Sequence, residues 1–209
     1  MKTNVLIILL LALALPATPI FAAGVMHQRS AVQAVQARFQ YADTSVCSEG
    51  LVTNVVVIGE LGWIAGNGKK IDVSAVSLGL FARDECTGTE LMFATGQTNA
   101  NYDLRIDPNL NTATLHVRLL VHDDFTETDS YYDIDMVWTG IGQTQKEAIH
   151  DKEHSPDLIE NEHAVIDTRA ALVSGTVISL STGQNFTPGA SVDASLMKIQ
   201  GGGNDVPIH

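Results

Sequence analysis

The sequence predicts an all-β protein, built as a single antiparallel β-sandwich or barrel of about nine or ten strands. Apolar and polar residues alternate with period two along most of the chain after residue 23, which is typical of half-buried strands. Turn-forming residues separate these runs at the spacing expected of sandwiches and barrels. Helical periodicity is scarce. A hydrophobic content of 45% with only 17% charged residues excludes a disordered chain.

The first predicted strands come from two kinds of pattern. Val35 to Tyr41 alternates apolar and polar residues, whereas 52–58 is an almost continuous β-branched run and indicates a buried strand. Residues 71–83 and 90–93 continue the strand pattern on either side of a turn at 84–89. We expect these segments to be neighbours in one sheet.

The middle of the chain gives the clearest strand signals. Residues 102–106 lead into a turn at 107–111, and 113–121 then presents an apolar face of Ala, Leu and Val. In the next strand, 132–138, Asp133 and Asp135 occupy the alternate positions. Because Asp is disfavoured in a strand unless it meets water, one side of this sheet is predicted to be solvated.

The last third combines strands with one polar segment. Residues 163–180 and 191–199 are predicted strands, and about 143–162 is predicted as a polar loop with room for one short helix ending before Pro156. The β domain is expected to span 24–200. The glycine-rich end, 201–209, is expected to be a flexible tail.

The N-terminus has the pattern of a signal peptide over residues 1–23. Lys2 precedes an apolar run from Val5 to Leu15, and small residues follow Pro16 as far as Ala23. An apolar run of this length is too short for a transmembrane helix, which needs roughly 20 residues. We therefore expect a secreted protein, extracellular or periplasmic, with no transmembrane anchor after cleavage; an uncleaved anchor is the alternative.

The chain contains two cysteines, Cys47 and Cys86. In an oxidising compartment the simplest expectation is one disulfide between them, with a catalytic thiol as the alternative.

The charge excludes one class of partner. With 12 Lys and Arg against 24 Asp and Glu, the net charge is −12, and no basic cluster stands out in the sequence. A nucleic-acid partner is therefore not expected.

The polar segment contains the one motif that suggests metal chemistry. His150 and His154 flank Glu153 in the pattern H-x-x-E-H, which on a helix would place both imidazoles on one face. A zinc protease is not expected, because Pro156 would end that helix and the surroundings are strands. The simplest expectation is a solvated loop and no cofactor. The alternative is a divalent-metal site formed by His150, His154 and His163, with Glu153, Glu160 or Glu162 nearby.

Trp63 is the residue we predict to contact a ligand. It lies in a Gly-rich stretch that indicates a turn, where an exposed Trp would mark a binding surface. The alternative is a Trp that covers the core. Trp138, in phase with Ile134 and Met136, is predicted to be a core residue.

Three segments resemble a group of uncharacterised exported bacterial β-proteins. They are Asp-Glu-Cys-Thr-Gly-Thr-Glu-Leu at 84–91, Val-Trp-Thr-Gly-Ile-Gly at 137–142 and Asn-Phe-Thr-Pro at 185–188. The resemblance implies an exported β-protein and assigns no activity, ligand or functional residue. The stretch 143–163 departs from the group in being longer and acidic, which indicates that the histidines are peculiar to this chain.

Taken together, these patterns predict a non-enzymatic binding or structural protein of the cell surface or extracellular space, with a macromolecule or surface component as its partner. No nucleophile motif or nucleotide-binding fingerprint is present, and we assign no catalytic or cofactor-binding residue. The alternatives are a metal-binding protein using the three histidines, or a hydrolase whose site is assembled from distant strands.

Overall fold

The protein is described by a computed structural model covering residues 26–44, 50–66, 68–154, 158–189 and 192–207. The predicted signal segment, 1–23, lies outside the described residues. The all-β prediction is confirmed: the described chain forms antiparallel strands of one sheet. No helix in the described ranges is long and apolar enough to cross a membrane.

Twelve strands are present in the described chain. In the first half these are β1 (Met26–Asp43), β2 (Leu51–Gly66), β3 (Lys69–Asp72), β4 (Ala75–Asp84), β5 (Thr89–Thr98) and β6 (Tyr102–Ile106). The second half contains β7 (Thr112–Asp123), β8 (Thr128–Gly140), β9 (Gln145–His154), β10 (Leu158–Ser179), β11 (Asn185–Phe186) and β12 (Val192–Pro207).

Eight of these strands close into a ring, so the fold is a barrel. Strand β1 pairs with β12 on one side and β2 on the other, and the ring runs β1-β12-β10-β8-β7-β5-β4-β2. The other four strands lie outside the ring: β3 pairs with β2, β6 pairs with β7, and β9 and β11 both pair with β10. Closure removes most of the exposed strand edges that an open sheet would present.

The barrel interior is filled by apolar side chains from alternate positions of each strand. Among the most deeply buried are Val57, Leu80, Leu115, Met136 and Trp138. The same alternation that predicts the strands therefore supplies the core, because successive side chains of a strand point to opposite faces.

The segment predicted as a polar loop with a short helix is instead a β-hairpin, so this part of the prediction is wrong. Strand β9 pairs with β10 in register, with Gln145 opposite Thr168 and His154 opposite Ile159. The sequence of β9 alternates as a strand does, because Lys146, His150 and Lys152 are at even positions and the acidic residues are at odd positions. It therefore has no helical periodicity.

The predicted flexible tail is also wrong over 201–207, which continue strand β12. Gly202 is paired with Arg29 of β1 and with His163 of β10. A Cβ at Gly202 would lie 3.0 Å from the Gln28 carbonyl oxygen and 3.1 Å from the His163 ring. The glycines therefore give room to the neighbouring strands and to an imidazole.

The sheet continues beyond one end of the barrel. We call this part the sheet extension; it consists of β3, β9, residues 26–34 of β1, 59–66 of β2, 158–168 of β10 and 197–207 of β12. Its inner face is the side continuous with the barrel interior, and its outer face is the opposite side. A small apolar cluster of Ala34, Ile166 and Met197 packs on the outer face.

Candidate functional site

Trp63 lies within strand β2, on the inner face of the sheet extension. It pairs with Ala31 of β1 and Asp72 of β3, so the prediction that it occupies a Gly-rich turn is wrong. Gly62 belongs to the strand as well. A Cβ there would lie only 2.6 Å from the Ala31 carbonyl oxygen, which explains the glycine without a turn.

Trp63 is half-buried and lines an open cleft of about 580 Å³. The cleft lies between the sheet extension and the turn that carries Pro108, which joins β6 to β7. Leu61 adds apolar surface, and the ammonium group of Lys70 lies 4.7 Å from the centre of the Trp63 ring. The predicted contact residue is thus at a concave surface where a ligand has room.

The polar lining of the cleft is cationic and amidic, with one carboxylate. The bases are Lys70 and Lys198, the amides Gln33 and Gln200, and the carboxylate is Asp72.

Asp72 is held as an anion by its neighbours. Hydrogen bonds from Ser74 lower the pKa of the Asp72 carboxyl below its usual range, and the Ser74 backbone N–H donates to it at 2.9 Å. The nearby Lys70 charge acts in the same direction. Because the lining contains one carboxylate, this cleft lacks the carboxylate pair expected of a glycosidase.

Two of the three predicted metal ligands are brought together. His150 on β9 and His163 on β10 are directly opposite in the register and both are exposed. Opposed residues of an antiparallel pair have Cβ atoms roughly 5 Å apart and share a face. The imidazole of His163 lies against Gly202, whose missing side chain makes room for it.

The third histidine does not have the helical relationship that the motif implies. His154 is four residues along a strand from His150, a separation of roughly 13 Å instead of one helical turn. Its side chain, like those of Glu153 and Glu160, lies outside the described part of the structure. The described side chains contain no group of three or more His, Cys, Asp or Glu that could hold a metal.

Of the acidic residues proposed beside the histidines, Glu162 is the one whose side chain the structure describes, and it faces the other way. Glu162 lies on the outer face, where its Cγ would be 3.6 Å from a Cβ at Gly203. His150 and His163 lie on the inner face, so the predicted acidic partner Glu162 is turned away from them.

On the sheet extension, most described basic side chains lie on the inner face and most described acidic side chains lie on the outer face. The described charged side chains of the inner face are Arg29, Lys70, Lys146, Lys152 and Lys198 against Asp72 and Asp167. On the outer face they are Glu60, Glu147, Asp151 and Glu162 against Lys69. These sets follow from the register and the alternation of the strands.

This basic face was not singled out in the sequence, although its signal is present there. Five of the chain's 12 Lys and Arg side chains gather on one face of a protein with a net charge of −12. In β9 the letters QKEAIHDKEH place basic residues and histidine at alternate positions. That these basic residues lie on the same face as Trp63 depends on the pairing of five strands, which the sequence does not reveal.

The wall formed by β7 and β8 carries a ladder of cross-strand pairs. Arg118 forms a double hydrogen bond with Asp133, at 2.7 and 2.9 Å, and His122 Nδ1 lies 2.8 Å from Asp129. Asp124 lies 3.7 Å from His122 Nε2. The Asp residues of β8 therefore lie on a solvated face of the sheet, as the sequence predicts.

A second exposed apolar group lies on the same wall, across the barrel from β1. Leu120 is paired with Tyr131, and the Leu180 N–H donates to the Tyr131 carbonyl. All three side chains are about half exposed.

The predicted disulfide involves one residue outside the described ranges, Cys47. Cys86 lies in the β4–β5 turn, where its N–H donates to Asp84 at 2.8 Å. The adjacent Glu85 N–H donates to the carbonyl of Gly50, three residues after Cys47. This contact favours the Cys47–Cys86 bridge, which stays a prediction.

Comparisons with known proteins identify no family for this chain. No family model matches the chain, and no curated protein matches it. Among solved structures, the chain is similar to an acetoacetate decarboxylase-like enzyme from Sphingomonas wittichii RW1, at 7% sequence identity and a TM-score of 0.27. The match covers 90% of this chain and 94% of that one. A similarity of this size supports no functional argument, and the resemblance to exported bacterial proteins stays a prediction.

Proposed function

We propose that this protein is a non-enzymatic binding protein of the cell surface or extracellular space, and that its ligand occupies the cleft beside Trp63. The observation that carries the proposal is a partly buried Trp that lines a cleft of about 580 Å³, with a lysine ammonium 4.7 Å from its ring. Ligand sites combine apolar surface with a few polar groups that fix orientation. The partner is therefore a surface macromolecule with both apolar and polar groups.

The fold suits such a role because the cleft is built on strands. Trp63 is fixed by pairing on both sides, to β1 and to β3. A site held by paired strands keeps its geometry before the ligand arrives, which reduces the ordering cost of binding.

The experiment is affinity electrophoresis of the mature chain, from residue 24, in gels containing alginate, dextran or chitosan. We expect at least one polymer to retard the protein, and the Trp63→Ala variant to lose that retardation. Leu172→Ala is the matched control, because Leu172 is 63% exposed on the barrel wall, outside the cleft. Equal retardation of wild type and Trp63→Ala, or no retardation in any gel, would contradict the proposal.

A divalent-metal site is the second candidate, favoured by the direct pairing of His150 with His163. Two imidazoles on one face can ligate one ion, with water completing its coordination. Plasma mass spectrometry of the purified protein tests it. About one zinc per chain, lost in His150→Ala/His163→Ala but retained in His116→Ala, is expected; metal content unchanged by the double substitution would refute it.

A further inference from the structure

We propose that the ligand of the Trp63 cleft is an anionic polysaccharide, bound along a trough that crosses the inner face of the sheet extension. This inference rests on the proposed function and adds the class of ligand and its path. The trough is defined by one floor row and two wall rows, each of which follows from the strand register.

The floor begins at Trp63 and runs across five strands. The residues in register with Trp63 are small, apolar or amidic: Ala31, Gln200, Val165 and Ala148. Neighbouring strands are roughly 4.8 Å apart, so the row is about 19 Å long. This length accommodates about four sugar units.

The two wall rows contain three basic residues, two histidines and one acidic residue. The row on the side away from the barrel contains Arg29, Gly202, His163 and His150. The row nearer the barrel contains Gln33, Lys198, Asp167 and Lys146. The one acidic wall residue, Asp167, lies 3.7 Å from the Lys146 ammonium, so these two charges offset each other and Arg29 and Lys198 carry the net positive charge of the walls.

Charge complementarity selects an anionic occupant. Among the described side chains, the inner face has five basic and two acidic residues, and the outer face of the same strands has four acidic and one basic. An anionic chain is therefore attracted to one face and repelled by the other, which fixes where it binds. Exposed Lys and Arg contacts are individually weak, so several must act along the row.

The composition of the trough favours a sugar chain over an acidic peptide. A peptide in extended form would gain affinity by adding a strand to a sheet edge. The trough instead crosses the strands, whose backbone groups are already used in the ladder. Trp63 and Leu61 offer apolar surface for the C–H groups of a pyranose, the Lys70 ammonium over the Trp63 ring offers a charge for its carboxylate, and Gln33 and Gln200 offer amides for its hydroxyls.

The test compares binding of alginate, dextran and polyglutamate to the mature protein by biolayer interferometry. The decisive variant is Arg29→Gln/Lys198→Gln, which removes one charge from each wall. The matched control is Lys69→Gln/Arg83→Gln, which changes the net charge equally at exposed positions outside the trough. We expect the wall variant to bind alginate about tenfold more weakly, with the control within about twofold of wild type. Raising the salt concentration is expected to shrink the difference, because screening weakens exposed charge contacts.

The outcomes separate this inference from the proposed function. Trp63-dependent binding of dextran as tight as that of alginate, with no effect of the wall variant, would overturn the inference and leave the proposed function intact. Polyglutamate binding as tightly as alginate would overturn the sugar class. Failure of all three probes would overturn the inference, and the electrophoresis with Trp63→Ala then decides the proposed function separately.

Discussion

The ammonium group of Lys70 lies 4.7 Å from the centre of the Trp63 ring, and both side chains line the same cleft. A cation over an indole face at an exposed site is worth about 0.5–1 kcal/mol. The contact is too weak to matter much for the fold. Its consequence is local, because it places a positive charge beside an aromatic surface that a ligand can reach.

Replacing Lys70 with Gln should therefore affect binding more than folding. We expect the free energy of unfolding to fall by no more than about 1 kcal/mol, because only the cation–aromatic contact is lost. Urea unfolding followed by tryptophan fluorescence measures this, with Lys69→Gln as the control on the same strand. A loss several times larger for Lys70→Gln would show that this lysine supports the fold.

Trp138 should behave in the opposite way to Trp63. Its ring is fully buried, and its Nε1–H donates a hydrogen bond of 2.9 Å to the backbone carbonyl of Gln36 on β1. Trp138→Phe removes that bond and leaves a cavity, so we expect a loss of about 2–4 kcal/mol in the free energy of unfolding. Trp63→Phe is expected to cost less than about 1 kcal/mol, since Trp63 lines an open cleft and Phe keeps an aromatic ring there. Similar losses for the two variants in urea unfolding would contradict this assignment.

Stability should depend on pH through His122. Its hydrogen bond with Asp129 raises the pKa of the His122 imidazole, and the nearby Asp124 and Glu127 charges add to the effect. Because the folded-state pKa is raised, this contribution is fully present below the unfolded pKa and is lost as pH rises through the folded one. Urea unfolding should show Asp129→Asn to be more destabilising at pH 5 than at pH 9. An equal effect at both pH values would contradict the assignment.

The predicted bridge between Cys47 and Cys86 should be present in protein purified from an oxidising compartment. Closing a loop of this length stabilises by about 4 kcal/mol in the chain-entropy estimate. We expect no reaction with a thiol reagent before reduction, and a clear fall in melting temperature for Cys47→Ser/Cys86→Ser. Two reactive thiols in the unreduced, unfolded protein would refute the bridge.

The all-β class was predictable because burial and strand period agree. Val117, Leu119 and Val121 alternate with exposed residues, and each is buried in the barrel. Closure was not predictable, since it depends on β1 pairing with β12, which is more than 150 residues away in the chain, as well as with its sequence neighbour β2. Periodicity describes faces and contains no information about which strands are neighbours.

The errors have the same origin. The composition of the polar stretch 143–162, rich in Glu, Lys, Ala and His, suits a short helix, whereas its charges alternate along the chain as in a strand with both faces exposed to solvent. The glycines at 201–203 indicated a flexible tail because their partners, β1 and β10, are distant in sequence. Trp63 was identified from composition alone, but the basic rows beside it required the register.

The most direct test of the account is hydroxyl-radical footprinting of the mature protein with and without saturating alginate, read by mass spectrometry. We predict that alginate reduces oxidation of Trp63, His150 and His163, which lie along one trough, and leaves Tyr131 on the β8 wall unchanged. Equal oxidation of Trp63 in both samples, or protection at Tyr131 instead, would contradict the assignment of this face as the binding site.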